Sequence, residues 1–394
     1  MATEIFKLVG RITYEGQQKV EKGLQNLSSK IENAQQKLKS FGESAQNVGN
    51  KTKGIGEGFT KYVSAPLAAV GAAGILAAND VDKAMGKIQA ATGLTKKESK
   101  ELADEAVNLW KNAYAGSIEE AADSLATVRQ NMQDVASAQE IPRLTEQALK
   151  LRDALGYEVG ESTRAATALM KNFGIDGEKA FDLITVGAQK GGDFSGELID
   201  TINEYSTYFG AAGFSAEQMF NTLIAGTEAG AWNLDKVGDA VKEFNIRAKD
   251  GSKSTAEGFA AIGFNAEDMG QKIANGGEEG QKAVNATIMA LANMEDPVQR
   301  NKAGVALFGT QWEDLESDVI SAMATTEDKL GNVEGATDRA GAAMQDNLGT
   351  RAAKAWRSLQ TALIPVGKIL MDMVEPAVSK LQTGIEKLSN WFGS

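Results

Sequence analysis

Gly174-Ile175-Asp176-Gly177-Glu178-Lys179-Ala180-Phe181 returns 39 residues on as Gly213-Phe214-Ser215-Ala216-Glu217-Gln218-Met219-Phe220. A third copy, Gly263-Phe264-Asn265-Ala266-Glu267-Asp268-Met269, lies 50 residues after the second and runs on to Gly276. Each copy sets a glycine and an apolar residue ahead of a side chain able to cap helix amides: Asp176, Ser215 or Asn265. The 39-residue offset also pairs Gly187 with Gly226, Glu204 with Glu243 and Tyr205 with Phe244. The unit reads as a helical hairpin, with the residue after glycine stapling the helix entry. A single hairpin cannot bury its apolar face alone, so the copies are expected to stack into a bundle or short solenoid. Phe181, Leu183, Phe220 and Leu223 fall at core spacing, and such stripes are ordinarily core, not ligand boxes.

Helix starts recur along the chain around these copies. Thr95 with Glu98, Ser117 with Glu120, Ser215 with Gln218 and Ser254 with Glu257 have the capping-box pattern. With Asp176, Ser195 and Asp235 as further caps, starts fall at 176, 195, 215, 235 and 254, a spacing of 19 or 20. That suits three to four helical turns and a glycine-bearing connection.

Composition agrees with helix and removes most chemistry. Five prolines and 6% aromatic residues in 394 describe helix better than sheet. The chain has no cysteine and no histidine, which excludes disulfides, thiolate nucleophiles, Ser-His-Asp triads and imidazole metal sites. A carboxylate-pair hydrolase survives only formally, since nothing singles out a pair among 53 acidic residues. No catalytic, cofactor-binding or metal residue is expected. The net charge of −12 repels phosphate backbones, so no sequence-specific nucleic-acid partner is expected either.

The N-terminal part reads differently. Residues 1–16 contain a β-branched, aromatic run, Ile5 to Tyr14, that predicts one short strand. Residues 17–61 are expected to form a coiled-coil helix with a glycine-rich joint. Val20, Leu24, Leu27, Ile31, Ala34, Leu38, Phe41, Ala45 and Val48 follow one another in alternating steps of 4 and 3. So narrow a seam on a polar helix calls for a partner helix, whereas an amphipathic helix packed on its own domain would normally show a wider stripe. Leu24, Ile31, Leu38 and Ala45 at a, against Val20, Leu27, Ala34, Phe41 and Val48 at d, depart from the dimer-favouring pattern and point to a trimer or larger bundle of this chain. Gly54, Gly56 and Gly58 then interrupt the phase; their spacing does not fit a phosphate loop, and a hinge is the better reading.

Residues 62–80 are expected to form an apolar Ala/Gly-rich helix. The run 62–79 carries no charge, and Leu67, Val70, Ile75 and Leu76 are the candidates there for membrane or axial packing. Its length just reaches that of a bilayer span while its hydrophobicity is marginal, so a buried helix in a bundle competes with a spanning one. Residues 81–350 are assigned to the helical-hairpin repeat region. Residues 351–394 form amphipathic apolar helices, with Leu359, Leu363, Val366, Leu370 and Met373 in phase, and are expected to continue in a longer chain. The fold class is therefore mainly all-α: short leading strand, N-terminal coiled coil, hairpin-repeat bundle, amphipathic C-terminal helices.

The order of these parts resembles a known family. The run Leu76-Ala77-Ala78-Asn79-Asp80-Val81-Asp82-Lys83-Ala84-Met85-Gly86-Lys87-Ile88-Gln89-Ala90-Ala91-Thr92-Gly93 looks like the entry motif of phage tail tape measure proteins. The Gly174 and Gly213 repeats, Ala231-Trp232-Asn233-Leu234-Asp235-Lys236-Val237-Gly238-Asp239-Ala240-Val241-Lys242-Glu243-Phe244 and Leu363-Ile364-Pro365-Val366-Gly367-Lys368-Ile369-Leu370 resemble later parts of that family. The resemblance implies a structural protein, not an enzyme, of a phage tail or a phage-derived tail-like particle. It would scaffold tail tube assembly, set tail length and be released ahead of DNA during genome ejection. The implied partners are other copies of itself, tail tube proteins and tail tip or baseplate proteins, with the host membrane a further partner during ejection. The implied location is the tail lumen of the virion, after assembly in the host cytoplasm. The rival reading is a membrane-active helical pore-former or translocator, with 62–79 and 363–374 as inserting segments.

Overall fold

The computed structural model describes residues 67–324, 327–365 and 368. These residues are all-α, as expected; the strand over 1–16, the heptad seam from Val20 to Val48 and the glycine joint lie outside the described residues. The described residues divide into two compact units, with the cuts between 123 and 124 and between 346 and 347: the second unit lies between the cuts, and the first is made of the chain on either side.

In the first unit α1 (Leu67–Thr92) packs on α2 (Lys96–Lys111). α1 runs without a break across Asp80, and Ala77, Ala78, Val81, Ala84 and Ile88 are buried at the three-and-four spacing of one helical face. The turn between the helices is made by Gly93, at φ +68°, followed by the expected capping box. The Thr95 side chain accepts the Glu98 amide, and the Glu98 carboxylate accepts the Thr95 amide at 2.9 Å. The helical stretch 348–365 belongs to the same unit and buries Leu359 and Leu363. Its Arg357 donates to the carbonyls of Trp110 at 2.7 Å and Ala115 at 2.8 Å, where α2 ends, and its guanidinium lies 5.4 Å from the centre of the Trp110 ring. Lys354, 5.9 Å from the centre of the Tyr114 ring, packs on the same region.

The chain passes through α3 (Ile118–Met132) into the second unit. There follow α4 (Ile141–Leu155), α5 (Val159–Phe173), α6 (Gly177–Gly187), α7 (Leu198–Ala211), α8 (Ala216–Glu228) and α9 (Leu234–Arg247). α10 (Lys253–Ala261), α11 (Ala266–Asn275), α12 (Gly277–Ala292), α13 (Pro297–Phe308), α14 (Gln311–Ala322) and α15 (Ala336–Gln345) complete it. α9 is central and packs on α7, α8, α13 and α14. Phe181, Leu183, Phe220 and Leu223 are buried, as their spacing required.

The three repeat glycines are all left-handed: Gly174 at φ +67°, Gly213 at +88° and Gly263 at +83°. The residue after the second and third glycines closes the helix before it. The Phe214 amide donates to the Phe209 carbonyl and the Gly213 amide to Gly210, the six-to-one and five-to-two bonds of a Schellman motif. Phe264 and Gly263 repeat this on Phe259 and Ala260. The rings of Phe214 and Phe209 meet edge-on at 5.3 Å, the apolar contact that accompanies such a cap.

Asp176, Ser215 and Asn265 each accept the amide three residues on, as expected of caps. Three other starts are shifted. A π-helical turn, Ala188–Gly192, prolongs α6, so Asp193, not Ser195, holds the first amide of α7, that of Leu198. Asn233 caps α9, which frees Asp235 for a tertiary bond. Ser252 caps α10, and Ser254 lies inside the helix. Since these caps act on neighbouring amides alone, Ser215→Ala is expected to lower the urea-unfolding stability by about 1 kcal/mol without changing the m-value.

Candidate functional site

Among the described residues, the charged side chains that are buried are Lys150 and Asp182, and both face α15. α15 lies on α4 and α6. From α6, the Asp182 carboxylate accepts the amides of Gly335 at 2.7 Å and Thr337 at 2.9 Å, so it caps α15 from another helix. The Thr185 and Thr337 hydroxyls meet at 2.8 Å beside it. On α15, the Asp338 carboxylate accepts from three side chains of α4: Lys150 at 2.8 Å, Gln147 at 3.0 Å and Arg143 at 2.6 Å. Glu146 also accepts from Lys150, and Glu178 from Arg143 at 3.2 Å. The Lys150 stem runs beneath Gly341, where an added Cβ would lie 2.5 Å from its Cγ.

Burial opposes ionisation of Asp338, but the hydrogen bonds from Lys150 and Arg143 outweigh it and hold the carboxyl down at about 2. The folded value is depressed, so the stabilisation is complete above the ordinary carboxylate range and is lost as pH falls from about 4 through about 2. The stability gap between wild type and Asp338→Asn, read from urea midpoints, is expected to narrow over that window. A constant gap would show that the ion pairs contribute nothing specific.

A second polar cluster joins α7 to α9. The Tyr205 ring is buried, while its hydroxyl donates to Asp235 at 2.7 Å and Asp239 at 3.1 Å. Burial pushes the phenol up, and the bond to Asp235 and the charge of Asp239 push it further. Lys242 sits 5.4 Å from the Tyr205 ring centre and pairs with Glu204 at 2.9 Å. The acids thus accept from a neutral phenol that lies against Gly238, an arrangement that fastens two helices. A cleft of about 450 Å³ between α10 and α13 is lined by small residues such as Gly258, Ala261, Ala303 and Ala306 and by polar ones such as Glu257 and Gln299. A second, of about 460 Å³, is lined by Ala225, Met289, Ser321 and an ion-paired Lys329, among others.

Among the described residues no group of three or more acidic side chains could hold a metal ion, and no helix is long and apolar enough to cross a membrane. Of the packing candidates, Leu67, Val70, Ile75 and Leu76 all lie on α1, and Leu76 is exposed. The oligomer seam is outside the described residues. The sequence reading missed Lys150, Asp182 and Arg357. A signal was present for the first two: each is a lone charge inside an apolar run, Ala148-Leu149-Lys150-Leu151 and Phe181-Asp182-Leu183-Ile184.

Residues 113–309, half of the chain, match the family described as Phage-related minor tail protein. The chain is 29% identical over 247 residues to the probable tape measure protein of Streptomyces phage phiC31, covering 62% of this chain and 34% of that one. It is 25% identical over 357 residues to the tape measure protein of Pneumococcus phage Dp-1, covering 88% and 29%. A Bacillus subtilis (strain 168) protein named YqbO is 28% identical over 302 residues, covering 76% and 19%. The chain spans about a third or less of the length of each of these relatives. No solved structure matches. The helical repeats thus lie inside a recognised family, and this chain belongs to the phage-related minor tail proteins, as its resemblance to tape measure proteins implied.

Proposed function

We propose that this chain is a structural scaffold of the tail, working by shape and self-association, with no catalytic step. Copies join through the seam of Val20, Leu24, Leu27, Ile31, Ala34, Leu38, Phe41, Ala45 and Val48 as a trimer or larger bundle, which lies along the tail axis. Tube subunits polymerise around it, with tip or baseplate proteins at its end. The bundle sets tail length, occupies the lumen of the virion and leaves ahead of DNA. The observation that carries this reading is the similarity to two tape measure proteins over 62% and 88% of the chain. The heptad supplies the means, because a seam of two apolar positions in seven is buried by a partner helix.

Leu27→Asp with Ile31→Asp places charge in the middle of the seam. Sedimentation is expected to show the oligomer dissociated, and electron microscopy to show tails absent or of irregular length. Regular tails of normal length built with a monomeric variant would overturn the scaffold reading. An unchanged mass in sedimentation would overturn the seam as the oligomer contact.

A further inference from the structure

Helix α15 is held on its neighbours by polar contacts. It buries only Ala336, Thr337 and Gly341, whereas α9 buries Leu234, Val237, Val241 and Phe244 among others. Four buried polar side chains of α4 and α6, Gln147, Lys150, Asp182 and Thr185, bond to α15. α15 itself carries no large buried apolar side chain into this seat, and on leaving it the charged groups on both sides regain water in place of each other. The chain on either side is suited to such a movement. Leu330 is buried and anchors the approach, and Gly331 follows in the left-handed region at φ +70°. Arg339 on α15 donates to the carbonyls of Glu334 at 2.5 Å and Asn332 at 3.3 Å, so the loop after Gly331 is bound to the helix and moves with it. On the far side the unit ends at Asp346, one residue past α15.

We propose that α15 is a detachable latch. It swings off α4 and α6 about Gly331 in a local opening, uncovers the groove of Gln147, Lys150, Asp182 and Thr185, and leaves the aromatic core around α9 folded. The proposal stands on this seat alone and does not depend on the scaffold reading.

Native-state hydrogen exchange on the full chain tests it. The α15 amides and that of Thr337 are expected to exchange at least about 100-fold faster than those of Val241 and Phe244, with little dependence on urea, as for a local opening. Asp338→Asn should speed exchange in α15 by about tenfold, as for loss of a charge-assisted bond, and leave α9 unchanged. The absence of native cysteine allows a clean lock. Thr185→Cys with Thr337→Cys places two thiols where the hydroxyls meet at 2.8 Å, and their disulfide should slow α15 exchange towards that of α9 until it is reduced. Wild-type α15 amides that exchange at the α9 rate, with the same urea slope, would overturn the latch. So would a formed disulfide that leaves α15 exchange unchanged.

Discussion

Phe244→Ala is expected to remove about 3–5 kcal/mol of stability, the range for truncating a fully buried phenylalanine. The side chain is 1% exposed at the centre of the second unit. Its ring stacks on Phe308 with centroids 4.8 Å apart and meets Phe259 edge-on at 6.5 Å, while Phe308 in turn touches Trp312 at 6.2 Å. One ring thereby joins α9 to α10 and α13, and through Phe308 to α14. The cavity left by alanine has walls on several helices, so it cannot close by the movement of one of them. Ile246, two residues on and 49% exposed, is the control, and its replacement by alanine should stay within about 0.5 kcal/mol. Urea unfolding of both variants gives the comparison. If Phe244→Ala costs no more than Ile246→Ala, the packing described for α9 is wrong.

Gly213→Ala is expected to cost about 3 kcal/mol or more, although Gly263→Ala at the matching repeat position costs only about 1–2. Both glycines are left-handed, at φ +88° and +83°, so both alanines carry the penalty of that conformation. Their surroundings differ. A Cβ on Gly263 meets nothing within 4 Å, but one on Gly213 collides with the backbone carbonyl of Gly277, which has no side-chain freedom to yield. The contact is mutual in kind, since a Cβ on Gly276 would lie 2.8 Å from the Ala211 carbonyl. Two glycine loops thus touch backbone to backbone, one before α8 and one before α12. Equal losses of stability in the two variants would show that this approach is absent in solution.

The same pair of glycines marks how far the sequence could be read. The repeat, the helix class, the left-handed cap position and the side chains that cap α2, α6, α8 and α11 depend on groups within a few residues of one another, and their chemistry is visible in order along the chain. Core positions such as Phe181 and Phe220 were legible for a related reason: helical periodicity alone puts them on the buried face. The reading slipped where a local signal had two outlets. Asp235 and Asn233 can each cap α9, and the tertiary demand of the Tyr205 hydroxyl on Asp235 decided between them. It slipped again at Ser195, because nothing local announces that α6 continues through a π turn.

The sequence by itself determined that this protein is mainly helical, that glycine-led caps recur along it, that it lacks imidazole and thiol chemistry, and that its motifs follow the order of a tail protein family. Only the tertiary structure decided which repeat glycine must stay glycine, and why Lys150 and Asp182 are tolerated inside apolar helices. It also decided that Arg357 closes the end of a helix 247 residues earlier at Trp110. The physical reason is distance along the chain. A cap or a periodic face is settled by hydrogen bonds and burial that repeat every few residues. The partner of a buried charge, or the backbone that crowds a glycine, arrives from a helix whose position no local pattern records.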